Sequence, residues 1–188
     1  MESRECEFLA ENTTVRIVPN FTEGVMHMVA GDVGPFEAGV EVDVPLWMAL
    51  HLKERHMCTI QPPSWLCIES LEEIIRKESE EVKFTEVDPY YMEISHLLLH
   101  KAADDIPDGD KLKTLIKDLW DIRIAKLRND ITSILKTKEE TYATVNNLTT
   151  MELTVVRPFL TGSLDQLRKL QTAAQRTAAN LPGGSSTT

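Results

Sequence analysis

The chain has 188 residues, 42% hydrophobic and 27% charged, with a formal net charge of −10. That is apolar material enough for one domain, or for a small module joined to a larger one. The acidic excess repels phosphate backbones, so no direct nucleic-acid binding by the isolated chain is expected.

Ser3 is placed to cap a short helix over 4–11, with Asn12 as its stop. Alternating apolar residues predict strands over 14–18, 25–29 and 40–44, with a Gly/Pro-rich loop over 31–39 between the last two. Pro45 suits the first turn of a helix over 45–56. Residues 57–60 return as a strand, and Pro62-Pro63 closes a β-rich domain over 1–62, small enough to need support from the rest of the chain or a partner.

Everything after Pro63 reads as helix. Helices are predicted over 64–80 and over 89–104, the second capped by Asp88. Ile106-Pro-Asp-Gly109 connects them to the longest helix, over 111–145, with Asp108 as its cap. Leu112, Leu115, Ile116, Leu119, Ile122 and Leu127 recur at intervals of three and four, and Trp120 and Ile124 widen the apolar arc beyond one stripe. Asn146-Asn147 ends that helix. Thr149 caps a short one, and Pro158 redirects the chain into a last helix ending near Asn180, lined by Leu160, Leu164, Leu167 and Leu170. The helical domain therefore covers 63–180, and 181–188 reads as a disordered tail. The fold class is α+β: a small β-rich domain, then a larger all-α one.

Residues 1–62 carry −6, residues 63–110 −9 and residues 111–188 +5, an asymmetry suited to assembly with different chains. Cys6, Cys58 and Cys67 are scattered and form no Cys-x-x-Cys pair, so neither a zinc ribbon nor a disulfide framework is supported. The apolar run Val44–Leu50 is far shorter than the roughly 18 residues of a membrane span. The acidic first residues do not make a signal peptide. A cytosolic or nuclear protein with no membrane contact is expected.

Reactive constellations are sparse. His96 and His100 lie four apart on one helix face, and Asp104 continues the row, which would suit a metal-dependent hydrolase. The zincin pattern, however, needs Glu directly after the first His, where Leu97 stands. Asp104-Asp-Ile-Pro-Asp-Gly-Asp110 lacks the third and twelfth ligands of a calcium loop. Gly31-x-x-Gly34 lacks the Gly-Lys-Ser/Thr of a phosphate loop. No cofactor site emerges, and the chain reads as non-catalytic. On the long helix, Lys117 and Asp121 form an i, i+4 pair, and Asp121 and Arg123 are placed to fix the register of a helix–helix contact.

Several segments carry a resemblance in the same order along residues 5–172. They are Gly31-Asp-Val-Gly-Pro-Phe36, Val44-Pro-Leu-Trp-Met-Ala49, Gln61-Pro-Pro-Ser-Trp65, Pro89-Tyr-Tyr-Met-Glu93 and Leu119-Trp-Asp-Ile-Arg-Ile-Ala-Lys-Leu-Arg128. Phe8-Leu-Ala-Glu11, Val18-Pro-Asn-Phe21 and Asn147-Leu-Thr-Thr-Met-Glu152 add to them. Together they resemble the second Psf subunit family of the eukaryotic GINS replication complex. The resemblance implies a β-rich domain followed by a helical one, and a heterotetramer with three sister subunits. It also implies that the tetramer joins the minichromosome maintenance ring and a RecJ-like factor as the replicative helicase, in the nucleus. The family has no catalytic residues to carry over. Segments 78–88, 130–144 and the tail after Gln171 depart from its pattern.

On this reading the subunit interface is expected at Leu112, Leu115, Leu119, Trp120, Asp121, Arg123, Ile124 and Leu127. Docking to the helicase is expected at Asp32, Pro35, Phe36 and Val40, with Phe36 either an exposed apolar knob or a core residue of the small domain. The competing function is a helical adaptor in an unrelated complex.

Overall fold

The computed structural model describes residues 3–29, 31–136 and 146–179. Helix α1 (Ser3–Ala10) leads into β1 (Thr14–Pro19). This is the central strand of a three-stranded antiparallel sheet, between β4 (Val42–Pro45) and β5 (Cys58–Gln61). The alternation seen in β1 becomes register: Val15 lies opposite Val44, Ile17 lies opposite Ile60, and all four are buried. Helix α2 (Leu46–Glu54) joins β4 to β5 and buries Leu46, Ala49 and Leu50.

A second, two-stranded sheet pairs β2 (Met26–Met28) with β3 (Gly31–Val33). The loop expected over 31–39 therefore begins with a strand. Three residues with two exposed positions carry no readable alternation, and the cross-strand partner makes the strand. His27 and Asp32 close this hairpin at 2.8 Å. At Gly34 (φ +105°) an added Cβ would lie 3.2 Å from the Phe36 ring, so the turn needs glycine to let that ring fold underneath it.

The helical part consists of α3 (Ile68–Glu80), α4 (Tyr91–Lys101), α5 (Gly109–Lys136) and α6 (Thr150–Ala179). Three predicted ends shift. The helix expected from 64 begins at Ile68, after a turn in which the Leu66 amide donates to the Pro63 carbonyl. The one expected through Asp104 stops at Lys101 and gives way to a short 3-10 turn, Ala103–Asp105. Asp108 takes a left-handed φ of 54°, and its backbone carbonyl, not its side chain, receives the Lys111 and Leu112 amides. The expected stretch of α5 over 137–145 and the tail 181–188 lie outside the described residues.

Pro158 does not redirect the chain. It lies inside α6, which is continuous from Thr150. A proline here removes one backbone hydrogen bond and crowds the carbonyl four residues earlier. Pro158 is exposed, so water can serve that carbonyl. Thr149 does cap the helix. Its hydroxyl accepts from the Glu152 amide (3.3 Å) while Glu152 accepts from the Thr149 amide (2.9 Å), a reciprocal capping box.

The core is continuous across residue 62. One cluster runs from Val15, Ile17 and Phe36 through α2 and α4 to Leu112, Ile116 and Leu119 of α5. A second joins Phe84, Ile124, Leu127 and Ile131 to Val156 of α6, with Trp120 packed against both. Asp105 adds a polar tie between the two parts. Its carboxylate accepts from Lys53 Nζ of α2 (2.6 Å) and from the Ile60 amide of β5 (2.8 Å).

Candidate interaction surfaces and the buried ion network

Arg123 lies at the centre of the helical part and is fully buried. Its guanidinium has five N–H donors, and the surroundings accept five hydrogen bonds. Nε and Nη2 reach the two carboxylate oxygens of Glu152 at 2.6 and 3.1 Å. Nη1 reaches Glu78 (2.9 Å) and the Thr85 carbonyl (3.0 Å), and Nη2 also reaches the Asn147 carbonyl (2.6 Å). Lys126 donates to the Glu78 carboxylate (2.8 Å) and to the carbonyls of Glu78 (3.0 Å) and Lys83 (2.8 Å). The Tyr91 hydroxyl donates to Glu152 (3.3 Å). Both cations also sit against the Phe84 ring, at 5.3 and 5.2 Å from its centre.

Two cations thus face two carboxylates, and every donor of Arg123 and Lys126 is engaged. Burial alone would raise the Glu78 carboxyl. The Lys126 hydrogen bond, the Thr85 amide and the charges of Arg123 and Lys126 outweigh that and hold it below the ordinary range. For Arg123, burial works the other way and is outweighed by Glu152 and Glu78. The network joins the end of α3, the loop after it, α5 and the start of α6. The helix–helix register that Arg123 fixes is therefore one within this chain.

The expected interface stripe on α5 divides accordingly. Leu112, Leu119, Arg123, Ile124 and Leu127 are buried in the chain's own core, where a folded partner cannot touch them. Leu115 and Trp120 keep partial exposure and Asp121 is open to solvent. Asp121 has no ion pair with Lys117 among the described residues. The apolar arc seen in sequence is wide because α3, α4 and α6 of the same chain cover it.

Phe36 is no exposed knob either. It is 0% exposed, packs against the tilted ring of Phe21 with ring centres 5.3 Å apart, and exchanges backbone hydrogen bonds with Glu23. Asp32, Pro35 and Val40 remain on the surface around it.

His96 and His100 stack on the exposed side of α4, with ring centres 6.2 Å apart. Asp104 does not join them, because α4 ends at Lys101 and the row breaks. Among the described residues, no three His, Cys, Asp or Glu side chains converge where they could hold a metal. Burial raises the Cys58 thiol to about 11, so it is not a nucleophile at neutral pH.

Apolar side chains stay exposed elsewhere, among them Phe8 of α1, Trp47 of α2 and a group on α6. On α6, Val155 (44% exposed) and Phe159 (49%) stand one turn apart on one flank. Leu153 (51%) lies on the other, at the mouth of a cavity of about 540 Å³ with Leu127, Leu148 and Leu160. Sequence reading missed this flank because a break at Pro158 puts Val155 and Phe159 on different helices. With the helix continuous they share a face. The side chains of Leu164, Leu167 and Leu170, expected to line α6, lie outside the described ones.

Two family models match the chain in succession. Residues 2–61 match the PSF2 N-terminal domain, and residues 65–171 match the GINS complex protein helical bundle domain. The chain belongs to the PSF2 family of GINS DNA-replication-complex subunits. It is 46% identical over 176 residues to "DNA replication complex GINS protein PSF2" of Xenopus laevis, covering 93% of this chain and 95% of that one. Against the Homo sapiens protein of the same name it is 45% identical with the same coverage. Against that of Schizosaccharomyces pombe it is 34% identical, covering 91% of each chain. The α+β architecture described above is that of a PSF2 N-terminal domain followed by a GINS helical bundle. No helix among the described residues is long and apolar enough to cross a membrane.

Proposed function

We propose that this chain is a non-catalytic scaffold subunit of a GINS heterotetramer. With its three sisters it joins the minichromosome maintenance ring and a RecJ-like factor in the nucleus, as the replicative helicase. Membership of the PSF2 family supports the assembly. The division into a β-rich domain over 1–62 and an assembly domain over 63–180 is part of the same reading.

The observation that carries the scaffold role is the apolar flank of α6. A 30-residue helix spans about 45 Å, and among its described side chains Glu152, Val156 and Leu160 pack on the bundle. Phe159 borders that contact, Val155 stands one turn before it on the same flank, and both are left half exposed. Half-exposed aromatic and branched side chains on one flank of a helix suit helix–helix association between subunits. The interface therefore moves from the buried positions of α5 to this flank, with Leu115, Trp120 and Asp121 as the surface that α5 still offers. Asp32, Pro35 and Val40 form the surface proposed to face the helicase, with Phe36 as its support.

Co-purification with the sister subunits tests this. Val155→Asp with Phe159→Asp should release the chain from its sisters while its circular dichroism and melting stay close to the parent's. Full assembly of the double variant would place the interface elsewhere. Co-precipitation of the ring and the RecJ-like factor from nuclear extract tests the wider assembly separately.

A further inference from the structure

Helices α4 and α5 enclose a groove of about 300 Å³ that the buried network and the α6 flank leave unused. Its floor is apolar, made by Met92, Leu99 and Ile116. Its walls are two short ridges. His96 and His100 stand one turn apart on α4, and Lys113 and Lys117 one turn apart on α5. No carboxylate lines it, in a chain with 30 acidic and 20 basic side chains.

The polar groups on these ridges are largely unspent. Lys117 has no ion pair among the described residues, and His96 and His100 have only each other's rings. Lys113 meets Asp110 at 3.2 Å, but that carboxylate is fully exposed and the pair is readily exchanged. The one other polar group in the groove, the Ser95 hydroxyl, is committed to the Tyr91 carbonyl.

We propose that this groove docks an acidic peptide segment of a partner protein, with one or two large apolar side chains seated on the floor and flanking carboxylates on the lysine and histidine ridges. Charge complementarity selects this occupant. A basic segment would meet two lysine cations and no carboxylate to pair with. Nucleic acid would meet two lysines on a chain that is strongly acidic elsewhere. A volume of this size is at the lower end of ligand pockets and suits one aromatic or aliphatic anchor rather than a whole helix face.

The test uses the assembled complex and a fluorescein-labelled peptide of sequence DDEFLEDD, read by fluorescence anisotropy. Saturable binding is expected, weakening as salt rises. Changing Phe and Leu of the peptide to Ala, or its acids to the corresponding amides, should each weaken binding about tenfold or more, because both apolar anchor and charge contribute. Lys117→Glu with His100→Glu should do the same while leaving melting and subunit co-purification unchanged, since both side chains are exposed. Absence of saturation overturns the proposal, as does binding indifferent to this double variant or to loss of the apolar side chains. Maleimide labelling of Lys117→Cys in a Cys67→Ser background adds a second measure. Ready labelling in the assembled complex is expected, and protection there would mean that a sister subunit already covers the groove, which also overturns it.

Discussion

Glu152 and Glu93 are carboxylates buried in the same helical bundle, on helices that lie close together, and their surroundings treat them in opposite ways. Glu152 is fully buried yet accepts two hydrogen bonds from Arg123, one from Tyr91 and one from the Thr149 amide. Glu93 is 5% exposed, and among the described residues neither of its buried carboxylate oxygens has a hydrogen-bond partner. Burial raises the Glu93 carboxyl, and Asp88, Glu152 and Glu7 raise it further. Burial of an acid by itself therefore tells little about stability. The partners decide whether it is an anchor or a burden.

The largest test of the contrast removes the partner of the satisfied pair. Arg123→Met leaves Glu78 and Glu152 buried beside a single lysine, and should destabilise the fold by about 3–5 kcal/mol in urea unfolding. The start of α6 should lose its amide-exchange protection first. Replacing Glu78 and Glu152 by Leu as well should recover much of the loss. If the single and triple variants were equally unstable, packing rather than unpaired charge would explain the effect.

Asp105 offers an intermediate case, a nearly buried acid with one charged and one backbone partner. Asp105→Ala should cost about 2–3 kcal/mol, since it strands Lys53 and the Ile60 amide. Because those partners lie in α2 and β5, the β-rich part should loosen more than α5 or α6, as read by hydrogen exchange.

Glu93→Gln should have the opposite sign and stabilise by about 1–2 kcal/mol at neutral pH, because the amide removes a buried charge. The pH dependence sharpens the comparison. Glu93 has a folded pKa above the ordinary 4.5, so its ionisation subtracts stability as pH rises from 4.5 through the folded value. The gain from Glu93→Gln should grow over that interval and then level off. Glu78 has a folded pKa below 4.5, so its contribution is present above 4.5 and is lost as pH falls through the folded value. A gain from Glu93→Gln that did not change with pH would mean that the carboxyl titrates alike in the folded and unfolded chain, against a folded value raised by burial. The smallest effect expected is Gly34→Ala, about 1 kcal/mol of destabilisation from the left-handed backbone and the crowded Phe36 ring.

Much of the fold was legible because it rests on local pattern. The alternation over 14–18, the proline opening α2, the acid–proline pair before α4 and the Thr149-x-x-Glu152 box each act within a few residues, and each appears in the structure near its expected place. Membership of the PSF2 family was also legible, because collinear motifs along most of the chain need no coordinates. The positions Leu112, Leu119, Ile124 and Leu127 were recognisable as apolar for the same reason.

What covers those positions was not legible. A hydrophobic stripe records that a side chain leaves water and says nothing of which surface replaces it. Only the docking of α3, α4 and α6 on α5 settled that Ile124 and Leu127 face their own chain. Phe36 followed the same logic, its burial set by Phe21 and a glycine turn rather than by its neighbours in sequence. The five acceptors around Arg123 come from Glu78, Thr85, Asn147 and Glu152, separated by up to 74 positions along the chain. Local chemistry determined the elements, the family and the candidate apolar faces. The tertiary structure decided which faces were used within the chain and which remained for others, because burial and charge pairing depend on distance in space.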